Sequence, residues 1–176
     1  MKRRAAFLTL CITIFVLLSS CATLPKGANV VGSFEKEKYL GKWYEIARYD
    51  FAFEKDLNNT TAEYTIRKDG KIDVVNRGFN YLIKKWSEAK GKARFRGADT
   101  KGELEVSFFG PFYAAYNVIA LDKDYRYALV AGSSLKYLWI LSREKTIPSE
   151  VKDQYLTIAK SLGYDTSKLI WVEHDK

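Results

Sequence analysis

The chain has 176 residues, 29 Lys and Arg against 21 Asp and Glu, a formal net charge of +8, and 47% hydrophobic and 15% aromatic residues. That length suits one domain with a substantial core, while two cysteines and one histidine exclude a disulfide-built scaffold and a histidine-rich metal centre. The basic excess is interleaved with acidic residues rather than gathered in a stripe, which argues against a nucleic-acid partner.

The first twenty residues read as an export signal. Lys2, Arg3 and Arg4 supply a positive start, and Ala5–Leu18 is an apolar run. Such a run is too short to span about 30 Å of hydrocarbon at about 1.5 Å per residue, so it stands outside fold reasoning. Leu18-Ser19-Ser20-Cys21 resembles the lipobox of bacterial lipoproteins, in which small residues admit the peptidase and the cysteine thiol accepts a diacylglycerol. The resemblance makes Cys21 the lipid anchor to a membrane. Cys11 leaves with the signal, so no disulfide is expected. Two or more acyl chains hold firmly where one holds weakly, at about 0.8 kcal/mol per buried methylene. Ala22 stands where an Asp usually signals inner-membrane retention. Its presence points to the outer membrane with the domain facing the periplasm, or to the cell membrane where no outer one exists. Residues 21–33 read as a lipidated tether, with Pro25, Gly27 and Asn29 along it, and residues 34–176 as the domain. Loss of residues 1–20 leaves 26 basic against 21 acidic residues, a modest +5 that suits a position near anionic headgroups.

The domain is dominated by period-2 alternation. Ala62, Tyr64 and Ile66 alternate with Thr61, Glu63, Thr65 and Arg67, and Asp69-Gly70 turns the chain into a second strand from Lys71. Between Trp86 and Arg96 a charged face of Glu88, Lys90, Lys92, Arg94 and Arg96 opposes a face of Ser87, Ala89, Gly91, Ala93 and Phe95. Leu104, Val106 and Phe108 alternate with Glu103, Glu105 and Ser107. A turn at Gly110-Pro111 precedes strands at about Phe112–Leu121, Tyr125–Ala131 and Lys136–Ser142. The period then changes. Val151, Tyr155, Ile158, Ala159 and Leu162 recur at helical spacing after Pro148, and Gly163 is a C-cap residue. Lys168–Val172 reads as a final short strand. Counted from Tyr44, this order predicts an all-β fold: an eight-stranded up-and-down antiparallel β-barrel with a C-terminal α-helix and a short final strand.

Three stretches carry a family resemblance. Gly41-Lys42-Trp43-Tyr44-Glu45 resembles the Gly-x-Trp motif that opens the first lipocalin strand. Asn117–Asp122 with Tyr125 resembles the second lipocalin motif, and Trp139-Ile140-Leu141-Ser142-Arg143 the third. The chain is therefore similar to the lipocalin family, and within it to the bacterial lipocalins of the outer membrane. The resemblance implies structural roles for Gly41, Trp43, Asp122 and Arg143, with Trp43 plugging one barrel end and the Arg143 guanidinium packed on its indole.

The resemblance also implies a fatty-acid or lysophospholipid ligand and no cofactor. An eight-stranded barrel holds side chains or one small ligand. Ala62, Ser87, Ala89, Gly91 and Ala93 leave room inside, and Tyr64, Phe95, Phe108 and Trp139 supply apolar walls. The expected ligand-binding set is Tyr64, Ala89, Phe95, Phe108, Tyr113, Asn117 and Trp139, with Tyr113, Asn117 and Glu45 as polar contacts. A filled core is the competing reading of the same positions. An enzyme is not expected: the one histidine, His174, lies near the tail, and neither a Gly-x-Ser-x-Gly elbow nor a metal set occurs. Two alternatives stand beside lipid binding. One is a lipid- or isoprenoid-modifying enzyme using Glu45, and the other an envelope scaffold with a protein partner. The aromatic stretch Phe108–Tyr113 admits four roles: guarding the pocket mouth, touching membrane, forming a homodimer contact, or lying buried under a neighbouring loop.

Overall fold

Alternating apolar and polar positions along nine segments give one continuous antiparallel sheet in the computed structural model, which describes residues 23–175. The export signal and Cys21 lie outside the described residues. A short helix α1 (Lys36–Tyr39) leads into β1 (Gly41–Tyr49), followed by β2 (Leu57–Ile66), β3 (Ile72–Asn80), β4 (Lys85–Phe95) and β5 (Glu103–Phe109). Then come β6 (Phe112–Leu121), β7 (Tyr127–Ala131), β8 (Leu138–Ser142), α2 (Ser149–Ser161) and β9 (Leu169–Trp171). Each strand from β1 to β7 pairs with its successor, β1 pairs with both β2 and β8 and so closes the barrel, and β9 adds to β1. The eight-stranded up-and-down barrel with a C-terminal helix and a final strand is the architecture expected from the alternation.

Two apolar clusters follow from that closure. The inner one gathers Phe34, Tyr39, Trp43, Tyr64, Ile72, Val74, Leu104, Val118 and Val130 inside the barrel. The outer one seats Tyr155 and Ala159 of α2 against Ile46, Ala47, Leu129, Leu138 and Ile140 on the outside of β1, β7 and β8. The Tyr155 hydroxyl donates to the Tyr127 carbonyl at 2.9 Å, fixing the helix to the wall. Gly163, at φ +91°, ends the helix in the left-handed region that glycine enters without steric cost.

An irregularity in β1 decides which side chains face inward. The β1–β8 register shifts between Glu45 and Ala47, so Ile46 and Ala47 both join the outer cluster. Glu45 opposite Leu141 and Arg48 opposite Trp139 then face the interior. Glu45 already faces inward by alternation from Trp43, and the single extra residue after it turns Arg48 inward beside it.

The barrel has unlike ends. At one, α1, Phe34 and Tyr125 pack over Trp43 and Tyr39. The other carries the connections 50–56, 81–84, 110–111 and 132–137 and is not covered by any of the described helices. None of the described helices is long and apolar enough to cross a membrane.

Candidate functional site

The closed end is held by a hub around one fully buried indole. Trp43 is 0% exposed and donates its Nε1 hydrogen to the Tyr39 carbonyl at 2.8 Å. The Arg143 guanidinium lies 3.8 Å from the ring centroid and donates to the carbonyls of Lys42 at 2.8 Å, Lys38 at 2.7 Å and Tyr125 at 3.1 Å. Gly41, at φ +89°, brings the chain into β1 with its Cα facing Arg143. Asp122 accepts from the backbone N–H groups of Arg126 and Tyr127 through Oδ1 and of Asp124 through Oδ2, which shapes the β6–β7 turn. These four residues build the floor, where the polar atoms of Trp43, Arg143 and Asp122 bond backbone groups.

Above the floor, three phenols form a chain. Tyr64 donates to Tyr116 at 2.9 Å, and the Tyr39 and Tyr116 hydroxyls lie 2.6 Å apart. Burial holds all three well above the ordinary phenol range, so they stay neutral and act only as hydrogen-bonding groups. Tyr64 is buried in the inner cluster. Phe95, Phe108 and Trp139 face the same interior and remain only part-buried, as do Ala62 and Tyr116. Ala89 shares the inward face of β4 with Gly91 and Ala93, but it stands toward the open end and is exposed.

Two of the expected pocket residues face the other way. In β6 the inward positions are Tyr116 and Val118, which puts Tyr113 and Asn117 on the outer wall. Asn117 is 0% exposed because the chain preceding residue 34 covers it. Its Nδ2 donates to the carbonyls of Thr23 at 2.7 Å, Ala131 at 3.1 Å and Gly132 at 3.2 Å, and its Oδ1 accepts from Arg96. Tyr113 lies under the Arg94 guanidinium at 4.1 Å. The β5–β6 register sets both outside, and because β6 alternates between two apolar faces its sequence does not show which face is inner. Gly91 is likewise a spacer rather than free room: a Cβ there would meet the Ser107 carbonyl at 2.7 Å and the Phe108 ring at 2.8 Å.

The interior contains a polar cluster that the sequence signals only through Glu45. Arg48, 1% exposed, donates from Nη1 to Glu45 Oε1 at 2.8 Å and from Nη2 to the carbonyls of Glu54 at 2.6 Å and Leu57 at 3.0 Å. Thr60 donates to the same Glu45 oxygen at 3.1 Å, and Trp139 Nε1 donates to Glu54 Oε2 at 3.2 Å. Burial pushes the Glu45 carboxyl up, against the pull of Arg48. Burial and the neighbouring Glu45 charge push Glu54 well above the usual carboxylate range. Two inward atoms have no hydrogen-bond partner among the described residues: Arg48 Nε, a donor, and Asn76 Oδ1, an acceptor on β3. Arg48 was not legible beforehand, since it reads as outward by strict alternation from Trp43.

At the open end, Phe109 and Phe112 flank the Gly110–Pro111 turn and are 63% and 79% exposed, which removes the reading that this stretch lies buried under a neighbouring loop.

Comparison with known proteins adds four findings. A family model described as a lipocalin-like domain matches residues 34–174. The chain is 52% identical over 158 residues to the outer membrane lipoprotein Blc of Escherichia coli strain K12, covering 90% of this chain and 89% of that protein. It is 47% identical over 171 residues to the outer membrane lipoprotein Blc of Vibrio cholerae, covering 97% and 98%. Among solved structures, insecticyanin from the tobacco hornworm Manduca sexta superposes with a TM-score of 0.69 at 23% identity, covering 88% of each chain.

Proposed function

The chain belongs to the lipocalin-like family, and from that premise we propose that it is a lipid-binding lipoprotein of the outer membrane that carries fatty acids or lysophospholipids within the cell envelope. Its role is binding rather than catalysis, as befits the family. One observation carries the ligand reading: Ala62, Phe95, Phe108, Tyr116 and Trp139 face the inside of a closed barrel yet keep accessible surface. In a filled core such residues are sealed by their neighbours. Apolar and aromatic surface that stays accessible inside a narrow barrel suits one acyl chain. Burying about twelve methylenes gives a gross gain near 10 kcal/mol, offset by ordering of the chain and by competition from the bilayer. The chain end would run toward Tyr64 and Phe95, with Phe108, Trp139 and Ala89 around its upper part. Arg48 Nε and Asn76 Oδ1 supply a donor and an acceptor for its polar portion.

Anchoring through Cys21 complements this reading, because it places the barrel beside the reservoir of its ligand, on the periplasmic side. Mass spectrometry of lipid carried by the purified protein, with displacement of a fluorescent fatty acid by fatty acids and lysophospholipids, tests it. Co-purifying single-chain lipid and micromolar or tighter displacement are the expected results. A barrel that carries no lipid and displaces no probe overturns the assignment.

A further inference from the structure

Most of the exposed large apolar side chains are gathered at one end of the barrel. Phe53, Leu82, Ile83, Trp86, Phe109 and Phe112 are 63–79% exposed, and all lie in or beside the connections at the open end. They come from three separate connections, so the clustering is a property of the fold and not of one apolar loop. Phe53 and Phe109 reach each other from different connections, with ring centroids 5.5 Å apart. A soluble domain seldom concentrates exposed apolar surface in this way without something to cover it.

Charge at the same end narrows the choice of cover. Lys55, Lys84, Lys85 and Lys136 are exposed in or next to these connections, and none of them makes an ion pair among the described residues. The acidic residues nearby are Asp50, Asp56 and the inward Glu54, so the outward balance is positive. A second copy of this rim would set lysines against lysines. Anionic headgroups would instead neutralise them while the aromatic tips enter the interfacial layer, a pairing typical of surfaces that lie on membranes.

The path of the chain before the barrel points the same way. At the closed end Phe34 N–H donates to the Thr100 carbonyl at 2.8 Å, and Val31 then bridges Val118 and Gly102 with two bonds of 2.9 Å. Going back toward residue 23, the chain climbs the outer wall past Leu162, whose Cδ2 lies 3.9 Å from where a Gly27 side chain would begin. It reaches Thr23, which shares an outer groove with Tyr113, Ala115 and Ser133 next to the open end. Cys21 is two residues earlier, a reach of about 7 Å at most.

We propose that the open rim is a membrane-docking surface that seats the barrel mouth-down on an anionic phospholipid bilayer, with the lipid on Cys21 inserted beside it. The inference rests on the proposed anchoring at Cys21 but not on the identity of the ligand. Its consequence is that an acyl chain passes between bilayer and barrel through the rim without crossing open water.

The test uses the full chain, processed in cells, purified and reconstituted in vesicles of phosphatidylethanolamine and phosphatidylglycerol. Mass spectrometry of the N-terminal peptide first records whether Cys21 carries lipid. A fluorophore is then placed at Leu82→Cys or Phe112→Cys on the rim and, for comparison, at Lys68→Cys in the β2–β3 turn at the opposite end. Lipid-borne quenchers should act on the rim labels about fivefold more strongly than on the Lys68 label, with iodide showing the reverse order. The triple change Lys84→Glu, Lys85→Glu and Lys136→Glu should restore iodide access to the rim label. A lipidated protein whose rim label is as open to iodide as the Lys68 label overturns the docking surface alone. Rim shielding that vanishes on diluting protein in lipid assigns the rim to a second copy and also overturns it. An unlipidated Cys21 removes the anchoring reading and the proposal with it, whereas loss of fatty-acid displacement with rim shielding intact removes only the ligand.

Discussion

The Arg143 guanidinium stacks 3.8 Å from the centre of the Trp43 indole while its nitrogens bind carbonyls from three other parts of the chain: α1, the start of β1 and the β6–β7 turn. A planar fork is needed for both tasks at once, and an ammonium cannot perform them. Arg143→Lys should therefore lower unfolding free energy by about 1–3 kcal/mol, and Trp43→Ala by about 3–5 kcal/mol. Neither should change lipid affinity per folded molecule. Urea denaturation beside fatty-acid displacement checks both; full stability with lost binding would move these residues from the floor to the ligand site.

That floor was legible in the sequence, and the barrel wall was legible wherever one face is polar. In β4 the run Glu88, Lys90, Lys92 and Arg94 faces solvent and pairs across strands, as Arg77 with Glu88 and Arg94 with Glu105. Alternation there has one interpretation. In β6 it has two, because Ala115 and Ile119 outside are as apolar as Ala114 and Val118 inside. The segment before residue 34 covers the outer face at Asn117, and no local signal in β6 announces that cover. The interior charges were hidden for a different reason. Arg48 faces inward only because the register of β1 slips between Glu45 and Ala47, and a slip of one residue inverts every later assignment on the strand.

Asn117 offers a direct test of that correction. Its amide satisfies three backbone carbonyls and accepts from Arg96, all on the outer wall. Asn117→Ala should cost about 2 kcal/mol or more through the unpaired groups left behind, and the N-terminal segment should become more sensitive to protease. Fatty-acid displacement by the folded variant should match that of the parent. A variant of normal stability that no longer binds lipid would return Asn117 to the pocket.

Ala89 and Gly91 share one inward face and should respond oppositely to added bulk. A methyl group on Gly91 meets the Ser107 carbonyl at 2.7 Å and Phe108 at 2.8 Å, so Gly91→Ala should destabilise by about 1–3 kcal/mol. Ala89 is exposed near the mouth, where a larger side chain has space but narrows the entrance. Ala89→Trp should leave stability within about 0.5 kcal/mol and weaken lipid binding about tenfold, roughly 1.4 kcal/mol. Unchanged displacement by Ala89→Trp would place the ligand elsewhere.

Glu54 sets a pH dependence whose sign follows from its surroundings. Burial holds its carboxyl well above the usual carboxylate range, the Glu45 charge adds to that, and the bond from Trp139 and the Arg48 charge only partly oppose it. Between the ordinary carboxylate range and this raised value the folded protein keeps a proton that the unfolded chain has released. Stability contributed by the protonated form is therefore present at low pH and lost as pH rises through that window. Glu54→Gln retains an oxygen to accept from Trp139 and removes the proton exchange. Arg48 loses little, since its Nε lies 3.9 Å from the carboxylate and its Nη2 bonds the Glu54 backbone carbonyl, which the substitution leaves in place. Urea denaturation from about pH 5 to about pH 9 should show a flatter profile for the variant and a gain of about 1 kcal/mol or more at neutral pH. A residual slope should remain from Glu45, which burial also raises. Parent and variant curves that run parallel across the range would show that Glu54 is already ionised in the folded barrel, and that Arg48 holds two negative charges instead of one.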